Sequence, residues 1–216
     1  MSVDNLNRIF NSASEHDLKI GLTAYAKYNE IMVRLAAEFN VSSMTTSAIF
    51  SALSPNNSYH GNLRDAHMML SAWKNSQDIS EFKVHTYGNN KRKAWRIAHG
   101  ENPLDLIIAK KTRNFMLNVY NPNDPVPVTV DGHMINIWRG SRTKLTELRY
   151  PVHLYDEISN NVREMAQRLN LIPCQVQCTM WHVWRKMHAI HSTDQTELWD
   201  VELINARLGF HPTSNL

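Results

Sequence analysis

The chain has 216 residues, enough to bury one good hydrophobic core as a single domain spanning 1–216. Its 23 Lys and Arg against 20 Asp and Glu leave a formal charge of +3, so any nucleic-acid surface must come from local clustering rather than bulk charge. No apolar run approaches the roughly 18 residues of a membrane span, the first residues lack a basic-then-apolar leader pattern, and the two cysteines, Cys174 and Cys178, cannot build a disulfide framework; a cytoplasmic protein with no membrane partner is expected.

The apolar positions recur mostly at helical spacing. From His16 to Phe39, Leu18, Leu22, Tyr25, Ile31, Met32, Leu35 and Ala36 fall near one face and predict a long amphipathic helix ended by Asn40. Ser42 or Ser43 caps the next, which runs through Ala48, Ile49 and Ala52 until Pro55 stops it. Ser54-Pro55-Asn56-Asn57-Ser58 is turn chemistry, and Tyr59 to Lys74 resumes the helical spacing. Asn89-Asn90 introduces a short basic helix, Lys91 to Ile97, which Gly100 terminates. Leu104 to Tyr120 reads as two short helices meeting near Ala109.

Asn121-Pro122-Asn123-Asp124-Pro125 breaks the pattern, and Val126, Val128 and Val130 then alternate as a half-buried extended segment would. Asp131 follows as the N-cap of a helix from His133 to Arg139 that Gly140 ends. Pro173 opens a helix containing Val176, Met180, Trp181, Trp184 and Met187, and Leu198 to Leu208 forms one more; helices within 155–210 complete the fold. The expectation is an all-α chain of about eight to ten helices.

The string from Lys111 to Asn118 (KTRNFMLN), followed after a proline-containing turn by Val128-Thr129-Val130-Asp131-Gly132-His133, resembles the core of the endonuclease III-like helix-hairpin-helix DNA glycosylases. In that family a lysine opens a K-T-x-N-type helix and the catalytic aspartate sits in a V-D-x-H segment. Ala52-Leu53-Ser54-Pro55-Asn56 is similar to the family's first turn, and the resemblance is strongest over 43–140. The turn Leu53 to Asn56, the V-D-G-H segment and the later P-x-x-V-Q-x-x-x-W helix at Pro173 to Trp181 also resemble phage-associated relatives implicated in thymidine hypermodification. Asp105 to Lys110 lacks the glycines of the family's hairpin, so the implied fold is a glycosylase-like helical bundle with a degenerate hairpin.

The resemblance implies a DNA base-acting enzyme with Asp131, Lys111 and His133 as its catalytic set. It either excises a base or modifies a thymine-type base in phage DNA, which places it in the host cytoplasm. A carboxylate beneath the sugar can stabilise a cationic transition state or activate water, and a lysine amine in reach can attack the anomeric carbon. Either chemistry needs the base out of the stack, and Asn56, Asn57 and Tyr59 lie in the turn that would fill the gap. Lys91, Arg92, Lys93, Arg96, Lys110 and Arg113 are the candidate DNA-backbone contacts.

Each residue also has a plainer role. Asp131 can be only a cap, Lys111 a surface lysine, His133 a hydrogen-bonded helix-start residue, and the basic cluster a solvated face. Trp181, Trp184 and both cysteines read as core. The eleven histidines are scattered, and the set His182, His188, His191 lacks a carboxylate at ligand spacing, so no metal and no cofactor are expected. The alternative function is a non-catalytic DNA-binding or phage counter-defence protein retaining the fold.

Overall fold

Local capping chemistry sets most element boundaries in the computed structural model, which describes residues 2–190. Ten α-helices are present among those residues, joined by one 3-10 turn at Ile79–Glu81, and no strand is formed. Helices α1 (Ser2–Asn11) and α2 (Glu15–Phe39) are separated by Ser14, whose hydroxyl accepts from the Asp17 amide while the Asp17 carboxylate accepts from the Ser14 amide. Asn40 closes α2 in the left-handed region at φ 54°. Ser42 and Ser58 cap α3 (Ser43–Leu53) and α4 (Tyr59–Lys74) in the same way, each accepting an orphan amide of the first turn.

Helix α5 (Gly88–Ala98) is the basic helix, α6 (Pro103–Leu106) is a four-residue turn of helix, and α7 (Lys110–Tyr120) begins after Ala109, as the spacing predicts. The glycine-free connection from α6 to α7 leaves Ile108 73% exposed at the hairpin position. Helix α8 (Gly132–Arg139) starts at Asp131 and ends at Gly140, φ 70°. Helices α9 (His153–Leu169) and α10 (Pro173–Met187) follow; the expected helix at Leu198 to Leu208 lies outside the described residues.

The side chains sort into two hydrophobic clusters. One joins α2, α3, α4, α5 and α7 through residues such as Ile31, Phe50, Leu70, Ile97 and Met116. The other joins α1, α8, α9 and α10 through Leu6, Ile135, Ile158, Val176 and Met180. Helix α10 divides its faces between them, giving Cys174 and Cys178 to the first and Val176, Met180, Val183 and Trp184 to the second. Helices α2 and α10 cross at Gly21, where a Cβ would lie 2.6 Å from the Thr179 Cα. Only glycine permits so close an approach.

The segment before Asp131 is extended, but it does not alternate. Val128 and Val130 are buried, Thr129 between them is buried as well, and Val126 is 63% exposed. No sheet supplies its hydrogen bonds; side chains do. Asn114 of α7 donates to the Val128 carbonyl, Asn118 donates to the Thr129 hydroxyl, and the Tyr155 hydroxyl of α9 donates to the Val128 carbonyl and accepts from the Val130 amide. Without these partners the Val128 carbonyl and the Val130 amide would be unpaired, at a cost of about 1–3 kcal/mol each. The side-chain ladder removes that cost and aims the next residue, Asp131, into the seam between the two clusters.

Candidate functional site

Asp131 is built into the start of α8. Its Oδ1 accepts from the backbone amides of His133 and Met134, both at 3.0 Å, and its Oδ2 accepts from the Trp181 indole Nε1 at 2.9 Å. Two orphan amides of a helix N-terminus and one indole from α10 therefore fix the carboxylate in orientation. It lines a cavity of about 140 Å³ in the seam between the clusters.

The other walls come from five elements. Tyr25 and Tyr28 project from α2, Ser54 from the end of α3, Lys111 and Phe115 from α7, Thr129 from the extended segment, and Gln177, Cys178 and Trp181 from α10. The volume is close to the roughly 150 Å³ that takes up a benzene-sized ring. Burial pushes the Tyr25 and Tyr28 phenols well above the ordinary tyrosine range and the Cys178 thiol up to about 12, so all three are neutral at physiological pH. Asp131 and Lys111 are then the acid and base that share this otherwise uncharged wall.

Trp181 is the residue on which the site turns. Besides its bond to Asp131, its ring meets His133 edge-on at 6.2 Å and carries the Arg185 guanidinium at 4.3 Å from its centroid. Its spacing predicts a core tryptophan, which Trp184 is, at 3% exposed. Periodicity reports that a side chain faces inward and is silent on whether a hole lies there.

His133 stands behind Trp181 and is not among the side chains lining the cavity. Its pKa is lowered chiefly by burial, against the pull of the Asp131 carboxylate, with the Arg185, Lys111 and Arg142 charges lowering it further. A neutral imidazole results, and its Nδ1 is buried with no hydrogen-bond partner among the described residues. Arg142 and Arg185, neither singled out by the sequence, thus join Lys111 in a cationic surround.

A second cavity, of about 220 Å³, adjoins the first across Tyr28, Ser54, Phe115 and Trp181. Asn57 and Ser58 of the turn after α3, and Tyr59 at the start of α4, form part of its wall. That turn is held by Asp65, a fully buried carboxylate of α4 that accepts from Asn57 Nδ2 at 2.9 Å and from the His85 amide at 2.8 Å. Of the residues expected to fill a gap in DNA, Asn56 is exposed in the left-handed region and bonds the Tyr87 hydroxyl, Asn57 is tied to Asp65, and Tyr59 packs inward against Tyr28 at 4.9 Å.

The cations are dispersed. Lys91 donates to the Ile79 and Phe82 carbonyls and lies 4.1 Å from the Phe82 ring centroid, so it fastens the 3-10 turn to α5. Arg96 pairs with Glu101, Arg92 bonds Asn89, and Lys110 pairs with Asp156 at 2.6 Å, tying α7 to α9. Lys93 and Arg113 are partly exposed on α5 and α7.

Residues 1–188 match a protein family described as a family of unknown function, DUF7178. The chain belongs to that family. No curated protein and no solved structure matches it. Among the described residues of this DUF7178 member, no group of His, Cys, Asp and Glu is arranged to hold a metal ion, and no helix is long and apolar enough to cross a membrane.

Proposed function

We propose that the protein is an enzyme acting on a base in DNA, with Asp131 as its catalytic carboxylate. The observation that carries this reading is the placement of Asp131: fixed by three N–H donors, it lines a ring-sized aromatic cavity together with Lys111. A cleft lined by aromatic faces and a few placed polar groups is what a base extruded from the stack requires. The cationic surround of Lys111, Arg142 and Arg185 suits a polyanionic substrate.

The carboxylate can serve either of two reactions. In excision the C1′–N bond breaks with its electron pair on the base, and Asp131 faces the developing sugar cation or takes the proton of the attacking water. In modification of a thymine-type base, Asp131 takes the proton of an amine that displaces a phosphorylated leaving group on the base substituent, and the glycosidic bond stays intact. His133, neutral and behind Trp181, acts on the orientation of that indole rather than on substrate.

The test is to incubate the protein with ordinary DNA, with hydroxymethyluracil-containing DNA, and with its phosphorylated form plus amino acids. Free bases and digested nucleosides are then analysed by mass spectrometry. Free base identifies excision, a new nucleoside identifies modification, and unchanged DNA in all arms refutes the enzymatic reading.

A further inference from the structure

Helix α10 contributes two polar side chains to the Asp131 cavity. Gln177 and Trp181 are four residues apart, so they leave the same face of the helix one turn apart, and both line the cavity. Trp181 commits its single donor to Asp131. Gln177 is 4% exposed, and its Oε1 accepts from the Tyr25 hydroxyl of α2 at 3.1 Å. That bond orients the amide. Burial keeps the Tyr25 phenol protonated and therefore a donor, so Oε1 is the acceptor and Nε2 carries the two N–H groups.

Nε2 bonds no described residue, and it is not among the polar atoms sealed inside the fold, as the Asn62 and Asn118 amide oxygens are. The surface it keeps, on a residue so buried, opens on the cavity that Gln177 lines. Its neighbours on the wall are engaged differently. The Ser54 hydroxyl donates to the Ser51 carbonyl at 2.9 Å, the Thr129 hydroxyl accepts from Asn118 at 3.0 Å, and Lys111 is exposed. The Gln177 amide is thus a neutral donor held in the aromatic interior of a ring-sized space. Such a donor favours a ring that carries an acceptor. It disfavours an amine in the same place, because two donors would then face each other with water excluded.

Resting on the base-acting reading above, we propose that Gln177 is the specificity residue of the Asp131 cavity, with Nε2 donating to an oxo group of the ring seated there. Tyr25, bonded to Oε1, is the positioning residue that keeps the donor turned to the cavity. The site discriminates by the substituent on the ring, taking oxo over amino at that edge.

The experiment titrates three rings of equal heavy-atom count, 2-pyridone, aniline and toluene, into the isotope-labelled full chain by NMR, and repeats the titrations on Gln177→Leu and Tyr25→Phe. Saturating 2-pyridone should move the Gln177 side-chain amide protons downfield and slow their exchange with water, and toluene should do neither. Gln177→Leu should weaken 2-pyridone at least about fivefold while toluene binds as well as before, and the ratio of 2-pyridone to aniline affinity should fall at least about tenfold. Tyr25→Phe leaves the amide free to turn over, so it should weaken 2-pyridone at least about threefold with toluene unchanged. The assignment is overturned if 2-pyridone shows no saturable binding, if the Gln177 amide does not respond to it, or if a folded Gln177→Leu protein loses 2-pyridone and toluene equally. Should Gln177→Leu fail to fold, the amide response of the wild-type chain and the Tyr25→Phe titrations decide the matter. Ring binding needs no turnover, so the two readings fail separately. A silent Gln177 amide in a protein that still reacts with DNA removes the specificity residue alone, and a responsive amide in a protein inert on DNA removes the enzymatic reading alone.

Discussion

Replacing Asp131 by asparagine separates a cap from a catalyst. An asparagine oxygen can still accept from the His133 and Met134 amides, and asparagine is about as good an N-cap as aspartate. Its NH2 group then faces the Trp181 indole N–H, donor against donor, where Oδ2 had accepted at 2.9 Å. Losing that charge-assisted bond and burying the mismatch costs about 1–2 kcal/mol. For a chain of this size the Tm should fall by roughly 2–8 °C. Activity should fall at least about a hundredfold, the lower end for loss of a general acid or base. Differential scanning calorimetry and the mass-spectrometric assay read the two quantities on one preparation. In a Trp181→Phe background the donor conflict is gone, so Asp131→Asn should cost little stability there while activity stays low. Activity within a few-fold of wild type in a folded Asp131→Asn protein would reduce the aspartate to a cap and favour a non-catalytic DNA-binding protein.

Gly21→Ala should cost about 1–3 kcal/mol, seen as an earlier chemical-denaturation midpoint, because the new methyl meets the Thr179 backbone of α10. Asp17 gives an acid limb to stability: burial raises its pKa, but the Ser14 hydroxyl and amide and then Lys186 override this and bring it to about 2. A depressed carboxylate stabilises the fold above the unfolded pKa near 4 and loses that contribution as pH falls toward 2, so Asp17→Asn should flatten thermal stability between about pH 4 and 2. Lys91→Met should lower Tm while leaving DNA affinity nearly unchanged, since that ammonium serves the Ile79 and Phe82 carbonyls. Lys111→Met or Arg113→Met should reduce the salt slope of DNA binding by roughly 0.9 for each phosphate no longer neutralised, measured by fluorescence anisotropy.

Features encoded by a few adjacent residues were legible in the sequence. Ser42, Asn40, Gly140 and Asp131 mark helix ends by chemistry confined to one turn, and the structure puts helix boundaries at them. Long-range pairing was not legible. Asn114 and Tyr155 look like ordinary helix residues, yet they supply the hydrogen bonds a sheet would otherwise give to the Val128 carbonyl and the Val130 amide. Asp65 reads as another helix carboxylate, and its burial under the turn after α3 depends on His85, twenty positions on. Of the candidate site, Asp131 and Lys111 do meet on one cavity, whereas Trp181, Thr129, Gln177 and the tyrosines of α2 carry no local signature. Basic spacing on α5 likewise could not tell a free lysine from Lys91, whose ammonium is used inside the fold.

The seam between the two clusters has a bearing on when during synthesis the protein acquires its site. Lys111 and Phe115 come from a helix of the first cluster, Asp131 from the start of a helix of the second, and the indole that clamps the carboxylate from α10, the last helix described. A nascent chain that has folded α2 to α8 has the aspartate but not its clamp, and one wall of the cavity is still missing. A chain lacking residues 173–187 would lose the indole donor to Asp131, the Gln177 and Cys178 wall of the cavity, and the α10 side chains of both clusters together.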